Sequence, residues 1–195
     1  ALTRLPLGGT QRGLAALVTV FSVELVGPAR ELAWDAMKTA SPDIVHRPLL
    51  EALAADGRPL IVSTGASELN EVERAVEWLD VAKDRLALLQ CVSSYPAPAP
   101  CFEGITALRA VFDGPVGYSD HIAGVDSAAS AVRAGAAILE KHLTHDRAAP
   151  GPDHAASLDP GQFAEYVRLA RDAGPTPAVT PGGQKIVLAC ERDVR

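Results

Sequence analysis

Residues 115–143, PVGYSDHIAGVDSAASAVRAGAAILEKHL, hold the pattern that decides the fold. An apolar run, Pro115–Tyr118, ends in Ser119, Asp120 and His121. A glycine-containing turn follows, then Ser127–Ala134 with small and apolar residues at helical spacing. Gly135 comes next, where a helix would exit through a left-handed residue. A second apolar run, Ala136–Leu143, again carries polar residues at its end: Glu140, Lys141 and His142. Neither run alternates cleanly between apolar and polar, which is the mark of strands buried on both faces in a helix-covered parallel sheet. Strand, helix and strand at this spacing make a βαβ unit.

The same unit recurs upstream. Apolar runs occupy Leu17–Phe21, Ala36–Ala40, Pro59–Thr64 and Leu86–Val92. Helical spacing is predicted over Arg47–Ala55, Glu68–Ala82 and Ile105–Phe112, and downstream over Pro160–Ala173. In the clearest of these, Leu69, Val72, Val76 and Leu79 form one stripe, with Ser67 as N-cap and Glu71 near a capping-box position. Gly57, Gly114, Gly135 and Gly174 each follow a helical stretch. About six units result. The fold class is α/β, and two further units preceding residue 1 would close a (β/α)8 TIM-type barrel, so the expected form is an incomplete barrel. The chain has 195 residues, against about 250 for a complete barrel. On pattern alone an open doubly wound sheet fits equally well. Residues 1–173 read as this one partial barrel domain, 174–183 (GPTPAVTPGG) as a linker, and the tail to 195 as too short to fold alone.

Composition narrows the function classes. Hydrophobic residues make up 48% and charged ones 22%, as in ordinary globular chains. A net charge of −6 argues against a nucleic-acid or anionic-membrane surface. No apolar run reaches the roughly 18 residues that span a bilayer, and no secretory leader opens the chain. Cys91, Cys101 and Cys190 are odd in number and lack a C-x-x-C pattern, so a reducing cytoplasm is the expected location.

Polar residues gather at the C-terminal ends of the predicted strands, the face on which barrel enzymes build their sites. They are Thr19 and Ser22; Lys38 and Ser41; Ser63, Thr64 and Gly65; Ser93, Ser94 and Tyr95; Ser119, Asp120 and His121; and Glu140, Lys141, His142 and Thr144. Hydroxyls, a lysine and turn amides suit a phosphate. Each Ser or Thr taken singly also reads as a cap or a strand-end turn. His121 and His142 end neighbouring strands and are placed to share a metal ion, though the same spacing fits two ordinary hydrogen-bonded histidines. Lys38 sits inside an apolar run, where a lysine needs an anionic partner. His46, His145 and His154 have weaker cases.

These residues also carry a family likeness. KTASPDI (38–44), RPLIVSTGAS (58–67), LALLQCVSSYPAP (86–98), PVGYSDHIAG (115–124) and AILEKHLTHDRAAPGPDHAASLDPGQF (137–163) resemble, in order, the N-acetylneuraminate (sialic acid) synthase family, over roughly residues 13–173. The resemblance implies a (β/α)8 catalytic barrel that condenses phosphoenolpyruvate with an N-acetylated amino sugar aldehyde, using Mn2+ or Mg2+. It implies His121 and His142 as metal ligands. Thr19, Lys38, Ser41, Ser63, Ser93 and Ser119 would contact phosphoenolpyruvate, with the Gly65 turn nearby, while Asp43, Tyr95 and Asp153 would face the sugar. The family's opening strands and C-terminal domain have no counterpart, Thr19-Val20-Phe21 replaces a T-P-F motif, and the loop after Tyr95 is short. A homodimer or a partner chain is expected to cover the open barrel edges. Two other readings stand beside this one: a degenerate barrel that binds metal or phosphoenolpyruvate without turnover, and a metal-dependent aldolase of another barrel family, which leaves GPDHAASL unexplained.

Overall fold

A computed structural model of the chain describes residues 13–174 and 186–191. It divides into two compact units, Ala1–Leu88 and Leu89–Arg195. In both, strands alternate with helices and pair in parallel with their sequence neighbours.

The first unit holds β1 (Leu17–Thr19), α1 (Val23–Arg30), β2 (Ala36–Thr39), a 3₁₀ turn at Ser41–Val45, α2 (Arg47–Ala54), β3 (Leu60–Ser63), α3 (Leu69–Trp78) and a second 3₁₀ turn at Asp80–Arg85. β2 pairs in parallel with both β1 and β3. All four residues of β3 are buried, as the unalternating LIVS sequence requires. α2 turns Leu49, Leu50, Leu53 and Ala54 into the core, each at most 1% exposed. Full burial of one such leucine stabilises the fold by about 1.5–3 kcal/mol.

α3 starts one residue later than its sequence suggests. Glu68 is the N-cap, and Glu71 reaches back to accept its backbone N–H at 2.9 Å. Ser67 instead donates to the Thr64 carbonyl at 2.6 Å. Of the predicted stripe, Val72 and Leu79 are buried, while Leu69 remains 42% exposed. α1 was not expected, because Gly27 and Pro28 lie inside it. It is held from outside: Val26 and Ala29 are buried, and Arg30 bonds the Ala52 carbonyl at 2.6 Å.

β4 (Leu86–Cys91) starts at the end of the first unit and runs into the second. The second unit continues with α4 (Glu103–Val111), β5 (Val116–Asp120), α5 (Ser127–Arg133), β6 (Ile138–Leu143), α6 (Pro160–Asp172) and β7 (Ile186–Glu191). β6 pairs in parallel with β5 on one side and β7 on the other. The stretch read as a tail thus supplies a further strand, and its apolar IVLAC run matches the spacing of the others. The linker reading lies, from residue 175 on, outside the described residues. α6 is capped by Asp159, which accepts the Gln162 backbone N–H at 2.9 Å, with Pro160 in the first turn where its missing N–H costs nothing. Among the described residues no helix is long and apolar enough to cross a membrane.

Candidate functional site

In the second unit, β5 and β6 set Ser119 opposite Glu140 and Asp120 opposite Lys141. One step further brings His121 level with His142. Side chains alternate across a strand. Ser119, Glu140, His121 and His142 therefore share one face, and Tyr118, Asp120, Leu139 and Lys141 share the other. Six polar residues that look equivalent in the sequence are sorted into two groups by this alternation.

On the first face the His121 and His142 ring centroids are 5.6 Å apart, inclined at 67°. His121 Nδ1 lies 2.7 Å from the Val92 carbonyl oxygen. A carbonyl can only accept, so Nδ1 carries a proton, while Nε2 lies 3.3 Å from Ser119 Oγ. A metal-binding imidazole characteristically donates its far nitrogen in this way. An ion about 2.1 Å from each nitrogen lies about 3.3 Å from each centroid, so two imidazoles sharing it at a tetrahedral angle have centroids roughly 5.4 Å apart. The observed spacing suits such an ion, and imidazole suits first-row divalent metals. Among the described residues no group of three or more His, Cys, Asp or Glu side chains gathers around a common point. The pair thus offers two ligands and leaves other positions to water or substrate.

Neighbouring loops hold both histidines in place. Ala97 N–H donates to the His121 carbonyl at 2.8 Å, and Leu158 N–H to the His142 carbonyl at 2.9 Å. Tyr95, 54% exposed, lays its ring 4.1 Å from His121 and 5.6 Å from His142. Asp153 is buried in the loop after β6, where its carbonyl accepts the Ser157 hydroxyl at 2.8 Å. Ser93 is exposed. In the same loop His145 and His154 stand 6.1 Å apart, and His154 Nδ1 is 2.7 Å from Thr144 Oγ1. Glu140, 7% exposed, shares the strand face of the histidines; its place two residues before His142 is the sequence signal for that.

The opposite face is a charged cluster without solvent. Lys141 Nζ is 3.2 Å from Asp120 Oδ2, and the two side chains are 1% and 0% exposed. Lys141 also donates to the Ile122 carbonyl and lies 5.3 Å from the Tyr166 ring. Burial draws the Lys141 ammonium pKa down, against an upward pull from the Asp120 carboxylate. Burial first, and Asp120 second, raises the Tyr118 and Tyr166 phenols.

In the first unit, Thr19 lies opposite Lys38, and Lys38 opposite Ile61. Ser63, two residues past Ile61, falls on the same face. Lys38 is half-buried, with Nζ 3.3 Å from the Thr39 carbonyl. Ser63 is 2% exposed and its hydroxyl has no hydrogen-bond partner. An orphaned buried hydroxyl on the same strand face as a lysine is the kind of group an anionic ligand satisfies. The Gly65 N–H, expected to be open for a phosphate, is taken by Ser41 Oγ at 3.1 Å. Asp43 follows in the 3₁₀ turn, with Oδ2 buried and unpartnered.

The chain is a parallel α/β protein, with paired histidines at adjacent strand ends in its second unit and a lysine and hydroxyls on one strand face in its first. The NeuB family model matches residues 3–176, and the chain belongs to that family. It is 36% identical over 168 residues to an N,N'-diacetyllegionaminic acid synthase of Legionella pneumophila, covering 83% of this chain and 47% of that one. The crystal structure of an N-acetylneuraminic acid (sialic acid) synthetase from Leptospira borgpetersenii superposes with a TM-score of 0.80 at 34% identity, over 84% of this chain and 58% of that one. A truncated 3-deoxy-D-arabino-heptulosonate 7-phosphate synthase from Thermotoga maritima shares the fold, with a TM-score of 0.74 at 14% identity over 84% of this chain and 66% of that one. The chain spans about half the length of the curated relatives it matches.

Proposed function

We propose that the chain is the metal- and phosphate-binding part of a nonulosonic acid synthase, built on an incomplete (β/α)8 barrel. It would join phosphoenolpyruvate to an N-acetylated sugar aldehyde, with water adding at C2 of the phosphoenolpyruvate unit and inorganic phosphate leaving. The observation that carries this reading is the His121–His142 pair, 5.6 Å apart, with the far nitrogen of His121 tied to the Val92 carbonyl. Family membership and the relatives' names point to the sugar class.

A divalent ion, Mn2+ or Mg2+, would serve as a Lewis acid on the aldehyde oxygen. His121 and His142 would hold it through one ring nitrogen each, and Ser119 Oγ lies 3.3 Å from His121 Nε2. Lys38 supplies a point charge, and Thr19, Ser41, Ser63 and Ser93 supply hydroxyls, for the phosphate and carboxylate of phosphoenolpyruvate. Tyr95, Asp43 and Asp153 orient the sugar. Most of the rate then comes from positioning and electrostatics rather than from covalent chemistry on the chain.

A second reading is a binding subunit without turnover of its own, completed by another copy or a partner chain. The deciding experiment mixes the purified chain with Mn2+, phosphoenolpyruvate and N-acetylmannosamine or its di-N-acetylated relatives. Release of phosphate that depends on both metal and sugar establishes the synthase. Phosphoenolpyruvate and Mn2+ binding without release establishes the second reading. Absence of both removes the proposal.

A further inference from the structure

The buried pair behind the histidines has no evident reason to be charged. Replacing such a pair by apolar side chains is often neutral or stabilising, so a fold needing only a filled core has no use for it. Its bonds point to another role. Asp120 Oδ1 accepts the Ile122 N–H at 2.9 Å, and Lys141 Nζ donates to the Ile122 carbonyl. The Asp120 carboxylate thus bridges His121 from behind, and Lys141 holds the next peptide. Ser127, at the start of α5, donates to Asp120 Oδ2 at 2.5 Å. The His121–Ile122 peptide is held at both ends, since its carbonyl accepts from Ala97 N–H at 2.8 Å. Asp120 and Lys141 are cross-strand partners, and each immediately precedes a histidine. The ion pair therefore fastens β5 to β6 at the residue before each imidazole.

We propose that Asp120, Lys141 and Ser127 are positioning residues that lock the His121–His142 spacing and the His121 tautomer, while touching neither substrate nor metal themselves. This rests on the metal reading given under Proposed function. Charge serves the purpose better than an apolar contact because the hydrogen bonds are directional, whereas packed methyl groups allow the strands to slip by fractions of an ångström.

The test uses the full chain and the double variant Asp120→Asn/Lys141→Met, which removes both charges at similar volume and leaves no unpaired ion. Two properties are read: Mn2+ affinity by titration calorimetry, and the imidazole proton–nitrogen correlation spectrum of the metal-free protein. The parent is expected to bind Mn2+ and to show His121 protonated at Nδ1 alone. The double variant is expected to melt cooperatively, to bind Mn2+ at least about tenfold more weakly, and to show a mixture of His121 tautomers. Leu53→Ala, a core truncation in the first unit, serves as the control and should keep the parental Mn2+ affinity despite lower stability. Parental affinity and tautomer in the double variant overturn the proposal, as does an equal loss of affinity in Leu53→Ala. If the parent binds no Mn2+, the metal reading falls, and the tautomer comparison alone then decides whether the pair fixes His121. If the double variant does not fold, Ser127→Ala provides the same readouts, with an effect of the same direction expected and no effect overturning the proposal.

Discussion

Gly117 and Ile138 are cross-strand partners whose backbones approach too closely for any side chain on Gly117. A Cβ there would lie 2.5 Å from the Ile138 carbonyl oxygen and 2.5 Å from Leu89 Cδ2. The leucine can rotate away, but the carbonyl belongs to the sheet. Gly117→Ala should therefore spread β5 from β6 and destabilise the fold by about 1–3 kcal/mol. Urea unfolding measures this, and a change inside ±0.5 kcal/mol would contradict the close approach.

His121→Ala and His142→Ala should each abolish measurable Mn2+ binding, since either loss leaves a single imidazole. Calorimetric titration of each variant against the parent decides the matter. Unchanged affinity in either one removes that histidine from the ligand set.

The Tyr95 ring covers both imidazoles, at 4.1 and 5.6 Å. Aromatic pairs of this kind contribute roughly 0.5–1.5 kcal/mol. Tyr95→Ala should weaken Mn2+ binding by about two- to tenfold, and Tyr95→Phe should retain it. Equal loss in both variants would transfer the effect from the ring to the hydroxyl.

Asp56 links Arg30, at 3.3 Å, to Arg58 in the first unit. The hydrogen bond from Arg58 leads in holding its carboxyl below the usual carboxylate value, against opposition from burial. A depressed folded pKa adds stability at neutral pH, lost as pH falls below about 4 and through the lowered value. Asp56→Asn should thus be less stable than the parent at pH 7, with the gap closing in acid. A gap that stays constant from pH 7 to pH 2 would show that the carboxylate charge is irrelevant.

Ala66 follows the Ser-Thr-Gly turn with φ of 56°, left-handed backbone that costs a non-glycine residue about 1–2 kcal/mol. Ala66→Gly should raise the midpoint of thermal unfolding by a few degrees, while Ala66→Val should lower it.

Much of the fold was legible before any coordinates. The predicted run Ala36–Ala40 became β2, and Pro59–Thr64 became β3, because strands buried on both faces are mostly apolar and do not alternate cleanly. Gly57, Gly135 and Gly174 adopt the expected left-handed backbone, with φ of 91°, 103° and 87°. Gly114 does not. It packs beneath Phe112, whose ring carbon would be 2.3 Å from an added Cβ, so a side chain there would have to displace the ring. α1 was illegible because its sequence opposes a helix and its stability comes from the surfaces it covers.

By itself the sequence determined six of the strands, the helices other than α1, and which residue types collect at the strand ends, because periodicity and composition are local properties of the chain. It did not separate His121 and His142 from Asp120 and Lys141, which sit beside them in the same motifs. That separation was decided by the parallel register of β5 and β6, which turned one pair toward the site and buried the other behind it as an ion pair. Register is set by long-range hydrogen bonding between strands, and a shift of one residue would exchange the two faces.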